Sequence, residues 1–576
     1  MKLLLLFLIS ICGYGVAAQK TLLKIASPKN TSSSVIHNRD FITGITCTSC
    51  TVTINDTLVT VYKTGAFAYE AKLKEGENIF NVVAKEGKKS TMSRISFLYQ
   101  PAQPEQAVIN PDIERIKVFP DGNLLLPPGE KINIEIKAQP GGKVYFDNQP
   151  LFEAPVDNEI SIRGIYKGVF KIPDSGTTVA KKPKALLIIP NGDSISKTYH
   201  YTIGALQMNQ PMVVRTKGRL AFLKYGLGED RLGGAKLGYI DSLINLEVTG
   251  KIKNEYRVKL ANGVSAYIED EWVDTLLTGT TISTALTGKW QVYGDDSFDY
   301  VKVELGRRLP YFSQTKLNPA QILIDVYGAV NNTNWISQLQ SAKEIDQVSY
   351  KQTADGVYQI SITLKHHQPW GYFIYYEGNI LVIKVRRPPL HNALKGLVIG
   401  VDAGHGGRNT GGVGITGAIE KNICLDIALE LKKQLEQEGA RVIMTRNKEQ
   451  FFDNRERILF FRDSLPDVLL SIHLNSSANP IEAKGTGAFY RHEGYKPLSV
   501  ALQNRMLELG LSDYGINGSF NFMLNSPTEY PNVLAEVLFL SNPAEEEMIL
   551  NDLFRKRVAT KMVLAVKDFV KQGVAE

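Results

Sequence analysis

The spacing of apolar residues changes character once along the chain, near residue 394. Upstream, apolar and polar positions alternate in short runs, as in Thr51-Val52-Thr53-Ile54, Lys131-Ile132-Asn133-Ile134-Glu135-Ile136, Tyr300-Val301-Lys302-Val303-Glu304-Leu305 and Gln359-Ile360-Ser361-Ile362-Thr363-Leu364. A period of two buries one face of a strand, and turn residues such as Asn55-Asp56, Glu75-Gly76 and Asn262-Gly263 punctuate the runs, so this part predicts all-β modules. Downstream, buried strands alternate with helices. Leu397 to Val401 reads as a strand, and Glu420 to Glu438 places Ile423, Ile427, Leu431 and Leu435 on one helical face. The pattern continues as strand 441–445, helix 454–463, strand 468–472, helix 497–509, strand 533–537 and a terminal helix 552–570. Such an order predicts an α/β domain with helices on both faces of a mixed sheet.

The 576 residues exceed what one core can organise, and about 100 to 200 residues per domain predicts a modular chain. Hydrophobic content of 43% and charged content of 22% exclude a disordered or coiled-coil protein. Residues 1–18 read as a secretory signal: Lys2, the apolar run Leu3 to Ile11, then small residues ending Val16-Ala17-Ala18. That run is too short to span a bilayer, and no later stretch is long and apolar enough to do so. The expected location is therefore outside the inner membrane, periplasmic or wall-associated.

Cys47 and Cys50 precede a strand pattern and read as a local disulfide or two quiet thiols, and Cys424 as a small buried hydrophobe. Residues 394–576 carry 21 Lys and Arg against 23 Asp and Glu, which leaves 45 against 36 upstream. The basic excess thus sits on the β modules and favours anionic partners such as wall peptides or lipid head groups, with weak wall binding as one outcome and a merely solvated surface as the alternative. No aromatic-basic stripe or motif for nucleic acid is present.

The β part divides into 19–100, a proline-bearing linker 101–112, a second module 113–204, a third at 205–278 and a fourth at 285–388. Ile54-Asn55-Asp56, Gly65-Ala66-Phe67 and Leu73 to Asn78 make the first resemble the immunoglobulin-like (Ig-like) modules of bacterial surface enzymes. Tyr256 to Leu260, Asn262-Gly263 and Ala266 to Val273 make the third resemble a bacterial SH3-like barrel. The fourth, with Gln321 to Tyr327 and Asn379 to Val385 just ahead of the α/β domain, is similar to the AMIN-like localisation β-sandwich of cell-wall amidases. His366-His367 lies in it without other ligand types at metal spacing.

Four residues of the α/β domain carry chemistry. His405 follows the strand into Asp402-Ala403-Gly404-His405-Gly406-Gly407, and His473 ends the strand Val468 to Ile472, so both stand at strand ends where open α/β sheets build sites. Asp402 is placed to orient an imidazole. Glu420 opens the first helix, where a carboxylate also suits the helix dipole. Two imidazoles and a carboxylate leave a fourth tetrahedral position open on zinc, the donor set of a hydrolytic site. Glu536 sits in the apolar run Val533 to Leu540, where a carboxylate costs several kcal/mol unless it is paired or lines a cavity, and a general base accounts for it.

Asp402 to Gly407, Glu420-Lys421-Asn422, Ser471 to Asn475 and Ala535 to Asn542, in this order, closely resemble the zinc-dependent N-acetylmuramoyl-L-alanine amidases of the amidase-3 family over residues 394–573. The resemblance implies peptidoglycan as substrate, cleavage of the amide between the lactyl group of muramic acid and L-alanine, one zinc held by His405, Glu420 and His473, and Glu536 as the catalytic glutamate. Ala403 and Leu538 stand where the family often has proline and glycine, and the basic residue often found upstream of the last strand is missing around Asn525. Only Arg491 to Lys496 separates Tyr490 from Pro497, too little for the inhibitory helix of some relatives, so a site open without an activator is expected. A zinc peptidase or deacetylase, or an inactive wall-binding protein, are the alternative readings.

Overall fold

The computed structural model describes residues 23–574 apart from 157–160, 175–179, 229, 231, 278–279 and 281. The expected signal, residues 1–18, lies outside the described residues. From residue 23 to 388 the chain is almost wholly β. The first region packs two sheets face to face, with Ile42 and Phe67 of one meeting Val52, Ile54, Phe80, Val82 and Phe97 of the other. A disulfide joins Cys47 to Cys50 at the turn between strands Arg39–Thr46 and Thr51–Ile54.

Strand Leu124–Leu126 pairs with both Ile203–Ala205 and Asn245–Ile252, so backbone from early in the chain is built into the sheet of the third region. One continuous apolar core then runs through residues 214 to 385.

The C-terminal domain is the expected α/β layer structure. Its elements are β1 (Val398–Ala403), α1 (Glu420–Gln437), β2 (Arg441–Met444), α2 (Asn454–Ser464), β3 (Val468–Asn475), β4 (Thr486–Phe489), α3 (Lys496–Leu507), β5 (Asp513–Asn517), β6 (Asn532–Phe539), α4 (Pro543–Leu550) and α5 (Asp552–Val574). The sheet order is β2-β1-β3-β6-β4-β5. The first four strands run parallel and β4 is antiparallel to β6, so the sheet is mixed. Strands β4 and β5 and helix α4 go beyond the sequence expectation. Thr486-Gly487-Ala488-Phe489 and Asp513-Tyr514-Gly515-Ile516-Asn517 each hold a glycine and no period-two pattern, which hides them as strands.

Period two decides what each sheet face does. Ile399, Val401 and Ala403 of β1, Val468, Leu470 and Ile472 of β3, and Val533, Ala535 and Val537 of β6 join α1, α3 and α5 in one core. The intervening residues face the other way, where Leu469 packs with Phe461 of α2, Leu524 and Tyr530. By the same alternation Asp402, Ser471, His473 and Glu536 point to the α2 side.

Candidate metal centre

His405 is the second residue beyond β1 and holds φ at +59°, a left-handed conformation that a residue with a Cβ adopts at a cost of about 1 kcal/mol or more. The surroundings enforce it. Arg457 donates to the His405 carbonyl at 2.5 Å, and Gly406 and Asn409 exchange backbone hydrogen bonds that close the loop. The ring is oriented by Asn409, whose Oδ1 lies 3.0 Å from Nδ1 and also accepts from the Gly411 amide at 3.3 Å. With the Nδ1 proton given to Asn409, His405 Nε2 is left with its lone pair.

Glu420 is the first residue of α1 and is buried. Its Oε2 accepts from the Gly412 amide at 2.6 Å and its Oε1 from the Leu474 amide at 2.9 Å. Gly411 makes room for it: at φ +68°, a Cβ there would fall 2.4 Å from Glu420 Oε2 and 2.6 Å from His405 Cδ2. His473 comes in from β3 across Gly404, whose added Cβ would meet the His473 ring at 2.6 Å.

The three side chains converge. Glu420 Oε1 lies 3.0 Å from His405 Nε2 and 3.2 Å from His473 Nδ1, and the two ring nitrogens are 3.1 Å apart. All three ligand atoms fall within 4.8 Å of one another, so the group could hold a metal ion. Burial alone would raise the Glu420 carboxyl, yet the two imidazoles hold it well below the usual range. Burial lowers His405, but the Glu420 carboxylate outweighs it and leaves the imidazole above its ordinary value. Three atoms that all bear lone pairs are better satisfied by a cation than by one another, and two nitrogens with one carboxylate oxygen are the donor set zinc takes.

Asp402 departs from the sequence expectation. Its carboxylate is fully buried and accepts from Thr445 Oγ1 at 2.8 Å, Ser471 Oγ at 2.7 Å and Arg457 Nη1 at 2.5 Å. It therefore acts on His405 at one remove, by holding the arginine that grips the His405 carbonyl, while Asn409 orients the ring. Burial would raise its pKa, and the Arg457 charge turns the balance downward. The Arg446 guanidinium adds donors to the Ala403, Gly404 and Lys421 carbonyls, tying β1 to α1.

Glu536 is the register partner of His473 across β3 and β6, so both open on one cleft of about 730 Å³. Asp402, His405, Glu420 and His473 line that cleft with Glu536, and Phe522, Met523, Leu524 and Leu534 give it an apolar wall. Asn525, where a basic residue was expected by resemblance, is buried behind the wall and donates to the Phe489 carbonyl at 3.1 Å. His366, far from this cleft in sequence, faces Glu344 at 2.5 Å instead.

An α/β domain that converges two imidazoles and a carboxylate beside a further glutamate in one cleft has the make-up of a metal-dependent hydrolase. Residues 399–568 match the family of N-acetylmuramoyl-L-alanine amidases, and the C-terminal domain of this chain belongs to that family. The chain is 32% identical over 180 residues to the probable cell wall amidase LytH of Staphylococcus epidermidis, covering 31% of this chain and 60% of the relative. It is 29% identical over 223 residues to the N-acetylmuramoyl-L-alanine amidase AmiC of Neisseria meningitidis serogroup B, covering 31% of this chain and 53% of that one. A crystal structure of an N-acetylmuramoyl-L-alanine amidase from Clostridium difficile 630 is 31% identical, covers 31% of this chain and 96% of its own, and superposes with a TM-score of 0.29.

Proposed function

We propose that this chain is a peptidoglycan hydrolase that cuts the amide between the lactyl group of N-acetylmuramic acid and L-alanine. His405 Nε2, Glu420 and His473 Nδ1 would hold one zinc ion, with Glu536 as the general base. What carries the reading is a single arrangement: three metal-type ligand atoms within 4.8 Å, and Glu536 in register with one of their residues on the same cleft. The bound metal would supply Lewis acidity, lowering the pKa of water toward about 7 and polarising the amide carbonyl.

The chain's own residues do the rest. Glu536 accepts a proton from the water that attacks the lactyl carbonyl carbon and delivers it to the alanine nitrogen as the carbon–nitrogen bond breaks. The water oxygen stays on the lactyl carboxylate and the stem peptide leaves as a free amine. Asn409 keeps His405 in the tautomer that offers Nε2, and the Gly412 and Leu474 amides fix the Glu420 carboxylate in place. No inhibitory helix stands between Tyr490 and α3, where Glu493–Tyr495 makes one short turn, which supports a site open without an activator.

The β regions are read as an Ig-like spacer, a second β module, an SH3-like barrel and an AMIN-like sandwich that bring the enzyme to the wall after export. Mass spectrometry of digested peptidoglycan, before and after chelation, tests the proposal. Release of whole stem peptides, abolished by chelation and restored by zinc, is expected. Loss of acetyl groups or cuts within the stem would instead support a deacetylase or peptidase.

A further inference from the structure

The wall of the cleft is not built by the amidase domain alone. Leu232, which belongs to the third β region, lines it together with Phe522, Met523 and Leu524. The joint between the two is Asn521. Its side-chain amide donates to the Leu232 carbonyl at 3.1 Å and the Gly234 carbonyl at 3.2 Å, and its Oδ1 accepts from the Lys236 amide at 3.2 Å. Arg491, from the segment after β4, donates to the Lys236 carbonyl and lies 3.5 Å from Asn521 Oδ1. Lys236 itself is only 6% exposed, so this is an enclosed seam and not a surface touch.

The same β region is fixed to α2 on a second line. Arg219 makes a bidentate pair with Asp463 at 2.5 and 3.3 Å, Arg455 reaches Glu271 at 2.5 Å, and the Arg462 guanidinium lies 4.2 Å over the Tyr239 ring. Residues 518–522, by contrast, have neither helix nor strand of their own between β5 and the short turn Met523–Asn525. A loop of that kind takes its shape from what it is bonded to, and here Asn521 alone makes five hydrogen bonds to Leu232, Gly234 and Lys236 of another module.

We propose that the third β region completes the substrate cleft in cis: Asn521 is a positioning residue that sets the Phe522-Met523-Leu524 wall, and Leu232 touches the bound stem peptide. This rests on the amidase reading. The ligand chemistry follows from the wall, which is apolar and so suits the methyl-bearing stem peptide more than the hydroxyl-rich glycan. The third region is then part of the enzyme's specificity and not only a means of delivery.

The test compares the full-length, zinc-loaded wild type with Leu232→Ala and Asn521→Ala on two soluble probes, a muramoyl dipeptide and a muramoyl pentapeptide. In both variants the pentapeptide KM is expected to rise about five- to tenfold with kcat within about twofold, and the dipeptide KM to move less. Unchanged melting and metal content accompany this result. The proposal is overturned if neither variant changes KM, or if kcat rises, which would make the seam a closing contact instead. Leu232→Ala removes only a cleft-facing side chain, so it decides the matter if Asn521→Ala fails to fold. A wild type that releases no stem peptide defeats the amidase reading and this proposal together, whereas an active wild type with unaltered variants defeats this proposal alone.

Discussion

Arg457→Met removes the guanidinium that holds His405 in place while keeping most of the side chain's length. In the native domain Arg457 and Asp402 are 3% and 0% exposed, and their ion pair is 2.5 Å long. The substitution also removes donors to the Ala403 and His405 carbonyls at 2.9 and 2.5 Å. Breaking a buried pair from one side strands the other charge, a loss of about 3 to 5 kcal/mol. Asp402 would keep its bonds from Thr445 and Ser471, which places the expected value near the lower end. Because the chain has several cores, a global unfolding curve does not isolate the effect. Hydrogen exchange of peptides spanning β1 and β3 does, and at about 1.4 kcal/mol per factor of ten the protection should fall by roughly two to four orders of magnitude. Adding Asp402→Asn to Arg457→Met should return part of the loss, since the stranded charge is gone, with a coupling of about 2 kcal/mol. A loss under about 1 kcal/mol for Arg457→Met, or strict additivity of the two changes, would refute the assignment of this pair as the site's foundation.

Glu536→Gln should lower kcat by about two to four orders of magnitude with zinc content unchanged, and near-normal turnover would remove Glu536 as the base. Gly411→Ala would put a methyl group 2.4 Å from Glu420 Oε2 at a φ of +68°, so weaker zinc retention is expected in a dialysis series against chelator. His492 donates to the Ser526 carbonyl at 2.9 Å, and burial, helped by the Arg491 charge, pushes its imidazole down to about 4. The unfolded chain binds that proton near pH 6.5, so the unfolded state holds more protons between pH 6.5 and 4. Stability should therefore fall as pH drops through that window, by at most about 3 kcal/mol. Opening free energies from hydrogen exchange of peptides spanning residues 486–495 in wild type and His492→Gln at pH 7 and pH 4.5 check this, and an equal drop in both would discount His492.

Most of the candidate site was legible in the sequence because its residues sit where local pattern is strongest. His473 and Glu536 interrupt apolar strands, and His405 follows one into glycines, so each breaks a rule that the neighbouring residues obey. The supporting shell was not legible in that way. Asn409 lies in an unpatterned loop, and Arg457 showed only as a charge one turn before Phe461 on the inner face of α2. Strands β4 and β5 escaped because glycines at 487 and 515 erase the alternation. The seam at Asn521 was beyond reach altogether: it joins positions 289 residues apart, and nothing local to Leu232 or Asn521 signals the other.

The pairing of His473 with Glu536 in adjacent parallel strands makes insertions and deletions in β6 unusually punishing. Losing one residue upstream of Glu536 would swing the carboxylate into the oily layer beneath the sheet and bring Val537 to the cleft side. The proposed catalysis and the folding of the domain would fail from the same event. Drift in length is thus confined to the loops beyond the strand ends, and the reactive residues can be retuned only by exchange, one side chain at a time.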